Sequence, residues 1–176
     1  MRLLLVTTAV LLTAGCGGGS KEPATTAPSG ISVTSTAFRD GASIPAKYTC
    51  DGAGTSPPLA WTGVPAEAKS LAIVVDDPDA PKGTFTHWVL LNIDPKVTSL
   101  TVGTPPSGAL QAKNSHGTPA YFAPCPPKGT HHYRFTVYAL SKTTDLPNGA
   151  DLDKALAAID SAAVARGRLT AVYARQ

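Results

Sequence analysis

The 176-residue chain lacks several features that mark common functional classes. It has no run of lysine or arginine, and its formal net charge is only +3. Because proteins that bind a nucleic-acid duplex normally carry a basic stripe, we expect no nucleic-acid partner. No Cys-X-X-Cys pair is present, which argues against a thiol redox enzyme. His-Glu-X-X-His and Gly-X-Ser-X-Gly are also absent, so neither of these hydrolase motifs is available.

The N-terminal residues have the pattern of an export signal. Arg2 precedes an apolar run at 3–12, which is shorter than the ~20 residues that a membrane span needs. Small residues then precede Cys16, as in bacterial lipoprotein signals, where the cysteine is lipidated and becomes the new N-terminus. We therefore expect residues 1–15 to be a lipoprotein signal peptide and the mature protein to be anchored by lipid on the extracytoplasmic side of the cell membrane. An ordinary signal peptide with an incidental cysteine is the alternative.

Composition changes after residue 30. Residues 16–30 consist largely of Gly, Ser, Thr, Pro and Ala without apolar periodicity, which is typical of a flexible tether. Residues 31–176 have the length of one domain. If Cys16 carries lipid, Cys50 and Cys125 remain, and an even pair in an exported protein suggests a disulfide. Two buried free thiols are the alternative.

Apolar patterning in residues 31–176 predicts a mainly β domain with one late helix. The run at 70–76 is almost continuously apolar, which is typical of a central strand covered on both faces. Apolar residues recur at helical spacing after residue 151, so we expect a helix that Asp151 caps and Gly167 ends. The other expected strands lie at 31–35, 48–50, 59–61, 86–93, 132–140 and 169–173.

Acidic residues follow directly after the central apolar run. Charged side chains are rare at the end of a buried strand unless they are paired or take part in a function. Because strand side chains alternate between faces, Asp77 rather than Asp76 is expected on the core face. The same alternation places His131 and Tyr133 on the core face of a later strand. It also predicts that His87 shares its face with Val89, Leu91 and Ile93. We therefore expect the two histidines, the tyrosine and the inward aspartate to meet at the mouth of a pocket.

This polar patch is suited to binding an anion such as phosphate or carboxylate. Imidazole and phenol groups donate hydrogen bonds, and a carboxylate fixes the tautomer of a neighbouring histidine. Each residue also has an ordinary structural alternative. Asp77 and Asp79 would then make turn contacts around Pro78, His87 would be a half-buried histidine, and Tyr133 would be a core residue.

Three separate motifs carry a resemblance to a known family. They are Asp77-Pro78-Asp79-Ala80-Pro81 with Thr86-His87-Trp88, the segment Pro124-Cys125-Pro126-Pro127-Lys128-Gly129-Thr130-His131-His132-Tyr133, and Cys50-Asp51-Gly52 with Ser56-Pro57-Pro58-Leu59-Ala60-Trp61. From about Ile31 onward, the chain resembles the phosphatidylethanolamine-binding protein family. It is most similar to the bacterial branch called Raf kinase inhibitor-like proteins.

The resemblance implies a central antiparallel β-sheet packed on a smaller sheet, with a C-terminal helix. It also implies an anion pocket, whose residues in this chain would be Asp77, His87, His131 and Tyr133, with Asp79 and Pro127 at the rim. Kinase inhibition is not carried over, because it depends on partners and surfaces that these motifs do not encode.

The leading hypothesis is a lipid-anchored binding protein, not an enzyme, that takes a small anionic or phosphorylated ligand. We expect no cofactor and no metal, and a protein partner whose activity the rim of the pocket modulates. The first alternative is a metal-assisted or acid/base hydrolase that uses the same aspartates and histidines. The second is an inhibitor that acts by surface contact alone.

Overall fold

The computed structural model describes residues 27–175. The predicted signal peptide, Cys16 and the first part of the predicted tether therefore lie outside the described residues. In chain order the elements are β1 (Ser32–Thr34), a short 3-10 helix (Ala46–Tyr48), β2 (Leu59–Thr62), β3 (Ser70–Asp77), β4 (Phe85–Ile93), β5 (Ser99–Leu100), β6 (Leu110–Ala112), β7 (Thr130–Leu140), α1 (Leu152–Ala162) and β8 (Ala163–Ala174).

These elements form three layers. A five-stranded antiparallel sheet has the order β6-β4-β3-β7-β8, and a three-stranded antiparallel sheet has the order β1-β2-β5. The small sheet packs on one face of the large sheet, and α1 packs on the other face. This arrangement confirms the mainly β fold with a smaller second sheet and a helix near the C-terminus.

Strand β3 lies at the centre of the large sheet, and all eight of its residues are buried. Its side chains alternate between two cores. Leu71, Ile73 and Val75 pack towards the small sheet, whereas Ala72 and Val74 pack towards α1. The continuous apolar run is thus explained by burial on both faces, as predicted.

The predicted strand at 48–50 is wrong. A 3-10 helix occupies Ala46–Tyr48, and a turn follows in which the Thr49 side chain donates to the Ala46 carbonyl. A Cβ atom at Gly52 would lie 2.4 Å from the same carbonyl oxygen, so the turn requires glycine there. Local turn chemistry therefore outweighs the β preference of this short segment.

Gly167 does not end the helix, which is a second correction. Helix α1 ends at Ala162, and the chain enters β8 at Ala163 without an intervening loop. Gly167 lies inside β8, where the backbone of Ile31 crosses it so closely that a Cβ atom would lie 1.9 Å from the Ile31 oxygen. The glycine allows this backbone crossing.

Residues 27–30, at the domain end of the predicted tether, lie against β8. Gly30 donates its N–H to the Arg166 carbonyl at 3.0 Å, and the Arg166 N–H donates to Pro28 at 3.0 Å. Ala27 is buried. Within residues 27–175, no helix has the length and apolar character needed to cross a membrane.

Candidate functional site

A β-bulge in β4 aims His87 at the end of the core. Val75 of β3 pairs with Trp88, but the next residue, Asp76, pairs with Thr86, which leaves His87 as the extra residue. A bulge places two residues opposite one and redirects a side chain. His87 therefore lines a cavity on the side where Trp88 enters the core between the sheets.

The predicted alternation along β4 is wrong for this reason. Val89 and Leu91 pack under α1, on the face opposite to His87. A second irregularity near Asn92, whose φ is 56°, returns Ile93 to the core between the sheets. The Asn92 side chain stabilises this positive φ because it donates to the Thr144 carbonyl at 2.9 Å and accepts the Thr144 N–H at 2.8 Å.

The cavity at this end of the sheet has a volume of about 140 Å³. Its walls come from the ends of β3, β4 and β7 and from two loops. The lining residues are Asp77, Ala80, Pro81, Phe85, His87, Phe122, Cys125, Pro126, Pro127, His131 and Tyr133. The structure thus brings together the four polar residues predicted from alternation, and Pro127 lies beside them.

Asp77 holds His131 by a buried hydrogen bond. Nδ1 of His131 lies 2.6 Å from Oδ2 of Asp77, and the other carboxylate oxygen accepts the Asp79 N–H at 2.8 Å. Both side chains are almost fully buried. Because a carboxylate can only accept, Nδ1 of His131 carries the hydrogen, and Nε2 remains for a ligand.

His87 is fixed by a different acceptor. Its Nδ1 donates to the Phe122 carbonyl at 2.7 Å, while the Phe122 N–H donates back to the His87 carbonyl at 3.0 Å. Burial lowers the pKa of His87 from 6.5 to about 4, although the bond to Phe122 opposes this shift. At neutral pH the ring is therefore uncharged, and Nε2 is a hydrogen-bond acceptor.

Tyr133 is buried at the base of the cavity. Its hydroxyl has no hydrogen-bond partner among residues 27–175. Burial, followed by the charge of Asp77, raises the pKa of Tyr133 well above its usual value of 10. The hydroxyl thus remains a protonated donor beside the edge of the His87 ring, whose centre lies 5.3 Å from that of Tyr133.

Asp79 does not line this cavity, in contrast to its expected place at the rim. Its Oδ2 accepts the His132 N–H at 2.8 Å and lies 2.7 Å from Nδ1 of His132. These bonds lower the pKa of Asp79. Asp79 therefore lies on the outer face of β7, where its hydrogen bonds to His132 stabilise the beginning of the strand.

Asp76 lies on the opposite face from Asp77, as the alternation predicted. Its carboxylate is buried and forms two hydrogen bonds with Arg134 of β7. Burial raises the pKa of Asp76, and the hydrogen bonds and charge of Arg134 oppose that shift. This pair joins two strands and has no access to the cavity.

A disulfide between Cys50 and Cys125 confirms the predicted pairing. Cys125 also lines the cavity, and the Cys50 N–H donates to the Pro124 carbonyl at 3.0 Å. The cross-link therefore holds the proline-rich wall of the cavity.

Sequence reasoning missed the aromatic walls Phe85 and Phe122, whose ring centres are 5.6 Å apart. Phe122 lies in a loop without periodicity, so no local pattern could indicate its position.

The site combines a small, largely apolar chamber with three polar groups in its walls: the buried Tyr133 hydroxyl and Nε2 of the two histidines. Within residues 27–175, no group of three or more His, Cys, Asp or Glu side chains lies close enough together to hold a metal ion. Such a chamber at one end of the central strand of a two-sheet β domain is the candidate binding site for a small ligand.

Comparisons with known proteins identify the family. The phosphatidylethanolamine-binding protein family model matches residues 34–174. A UPF0098 protein from Methanothermobacter thermautotrophicus is 46% identical over 144 residues, which cover 79% of this chain and 95% of that protein. LppC of Mycobacterium tuberculosis, named as a candidate lipoprotein, is 40% identical over 93% of this chain and 90% of its own length. The chain belongs to the phosphatidylethanolamine-binding protein family, as its motifs predicted.

Solved structures show the same fold. A Chlamydia trachomatis protein, described as a candidate phosphatidylethanolamine-binding protein homolog, superimposes with a TM-score of 0.79 at 38% identity, over 84% of this chain and 99% of that chain. Escherichia coli YbcL, described as a new member of the mammalian family, also gives a TM-score of 0.79, at 32% identity, over 84% of this chain and all of that chain.

Proposed function

We propose that this protein is a lipid-anchored, extracytoplasmic binding protein whose cavity holds one anionic oxygen-rich group, such as phosphate or a phosphate ester. The observation that carries the proposal concerns Tyr133: of the three buried side-chain polar atoms without a partner among the described residues, its hydroxyl alone belongs to a residue that lines the cavity. A buried polar group without a partner costs roughly 1–3 kcal/mol, so its presence favours a ligand that accepts its hydrogen.

The hydrogen-bond pattern also constrains the protonation state of the ligand. Neutral His87 presents an acceptor at Nε2, and Tyr133 presents a donor. A phosphate monoester that has lost both of its hydrogens has none to give to His87. We therefore expect inorganic phosphate, or a monoester that keeps one hydrogen, to donate that hydrogen to His87.

His131 supports the anion in a second way. Asp77 fixes the orientation of the ring, because Oδ2 lies 2.6 Å from Nδ1 of His131, and Nε2 is then the nitrogen left to meet a hydroxyl of the ligand. This role explains why a carboxylate, which would otherwise repel an anion, lies in the wall of the cavity.

The predicted lipid anchor is compatible with an open cavity. LppC, a relative over most of this chain, is named as a candidate lipoprotein. Residues 27–30 bind β8 at Arg166, whereas Tyr133 pairs with Ala171 of the same strand. Five residues of strand separate the two points, a distance of about 17 Å. An anchor that joins the domain there would leave the mouth free for a ligand or a protein partner.

Isothermal titration calorimetry with inorganic phosphate tests the proposal. We expect one saturable site, and a clear loss of affinity in the His87→Ala and Asp77→Ala variants. The absence of saturable binding, or equal binding by wild type and both variants, would show that the cavity is not an anion site.

One observation favours the acid/base form of a second candidate function, hydrolysis. A buried carboxylate that orients an imidazole, as Asp77 orients His131, is an arrangement used by general bases. Turnover of phosphate esters, or stoichiometric zinc that is lost in His87→Ala, would favour this enzyme. A partner that binds equally well to wild type, His87→Ala and Tyr133→Phe would favour inhibition by surface contact alone.

A further inference from the structure

A second cavity of about 390 Å³ lies directly beside the first. The two cavities share three apolar or small lining residues, Ala80, Pro81 and Phe85. Beyond this shared wall, the second cavity is lined by Lys82, Gly83, Thr84 and Ser115. A ligand group held by the histidines and Tyr133 therefore has an adjoining space into which the rest of the molecule can extend.

The second cavity presents hydrogen-bond donors and a positive charge. Lys82 is exposed and forms no ion pair with any residue in the range 27–175. Ser115 accepts the Thr86 N–H at 2.8 Å, which leaves its own hydrogen to donate. No carboxylate lines this cavity. These groups favour an anionic rather than a cationic occupant.

The backbone restricts where Lys82 lies. It is the second of the two central residues, after Pro81, of a turn in which the Gly83 N–H donates to the Ala80 carbonyl at 3.1 Å. Gly83 has a φ of 93°, a conformation that other residues rarely adopt, and Pro81 has a fixed φ. The turn therefore presents the lysine beside the shared wall.

We propose that the two cavities form one site for a small organophosphate with a second acidic group. The phosphate would occupy the first cavity, a short carbon segment would contact Pro81 and Phe85, and a carboxylate or second phosphate would reach Lys82. This inference rests on the proposed anion site and names the chemical class of its ligand. A headgroup of an acidic phospholipid and a soluble metabolite share this chemistry.

A matched pair of probes tests the second subsite. Glycerol 3-phosphate and 3-phosphoglycerate have the same three-carbon length, and they differ in carrying a hydroxymethyl or a carboxylate at the far end. We expect wild type to bind 3-phosphoglycerate about two- to five-fold more tightly, the range for one exposed ion pair. Lys82→Met should abolish this preference and leave the affinity for glycerol 3-phosphate unchanged.

Lys128→Met is the control, because Lys128 is an exposed lysine next to Pro127 on the other wall of the first cavity. It should retain the preference. Three outcomes would overturn the subsite while phosphate binding stands. Wild type could bind both probes with equal affinity, the preference could survive Lys82→Met, or Lys128→Met could lose the preference to the same extent as Lys82→Met. If neither probe nor inorganic phosphate binds wild type, the proposed function fails as well.

Vesicles distinguish the two sources of the ligand. Phosphatidylserine carries a phosphate and a carboxylate, whereas phosphatidylcholine has no second acidic group. Co-sedimentation of unlipidated protein with phosphatidylserine vesicles, but not phosphatidylcholine vesicles, and its loss in Lys82→Met would assign the subsite to a lipid headgroup. Binding of soluble 3-phosphoglycerate without co-sedimentation would assign it to a soluble ligand.

Discussion

Replacing Tyr133 with phenylalanine should separate ligand binding from stability. The substitution removes one oxygen atom from a side chain that is fully buried and keeps the ring in place. In the ligand-free protein this hydroxyl has no partner among the described residues, so its removal takes away an uncompensated polar group. We expect the free energy of unfolding to rise by about 1 kcal/mol.

Phosphate affinity should change in the opposite direction. A hydrogen bond to a charged acceptor contributes roughly 1.5–3 kcal/mol, which corresponds to a loss of about 10- to 150-fold in affinity. Calorimetric titration with inorganic phosphate measures the affinity, and urea unfolding measures the stability. A variant that is more stable than wild type but binds phosphate more weakly would show that the hydroxyl serves ligand binding rather than folding.

Tyr138→Phe is the matched control. Tyr138 is a buried tyrosine on the same strand, but it faces the core beneath α1 and does not line the cavity. Its substitution should leave phosphate affinity unchanged. The reasoning would be refuted if Tyr133→Phe lowered stability by about 1 kcal/mol or more, or if its phosphate affinity equalled that of wild type.

Three further predictions concern pH, charge and the cross-link. The pKa of His87 is about 4 in the folded protein and 6.5 in the unfolded chain, so protonation at low pH favours unfolding. Urea unfolding should show that the free energy of unfolding falls by about 2 kcal/mol from pH 7 to pH 5, and His87→Gln should remove most of this loss. Arg134→Met leaves Asp76 as an unpaired buried carboxylate, so the unfolding free energy should fall by about 3 kcal/mol, with calorimetric phosphate affinity unchanged. Replacing Cys50 and Cys125 by alanine opens a loop with a separation of 75 residues; denaturant unfolding should show a loss of about 4 kcal/mol, and phosphate affinity should also fall.

Much of the fold follows from local patterning in the sequence. The continuous apolar run at 70–76 predicted a central strand, and β3 is buried on both faces. Alternation along β7 placed His131 and Tyr133 on the core face, where both lie. These predictions succeed because a regular strand needs only its own residues to define its two faces.

The parts that failed depend on irregular backbone or on distant contacts. Alternation along β4 predicted the correct face for His87 and Ile93, but Val89 and Leu91 lie on the opposite face. The difference arises from a bulge at His87 and an irregularity near Asn92. Gly167 signalled a backbone crossing by Ile31, which is remote in sequence, rather than a helix end. Phe122 enters the site through a loop that His87 and the disulfide hold in place.

The central claim is that an anion contacts the histidines of the cavity. The chain has four histidines, so a long-range 1H–15N spectrum of histidine-labelled protein reports on each ring during a phosphate titration. We predict saturable shifts at Nε2 of His87 and His131, and little change at His132, which binds Asp79 on the outer face. Unchanged signals from His87 and His131 at saturating phosphate would contradict the account.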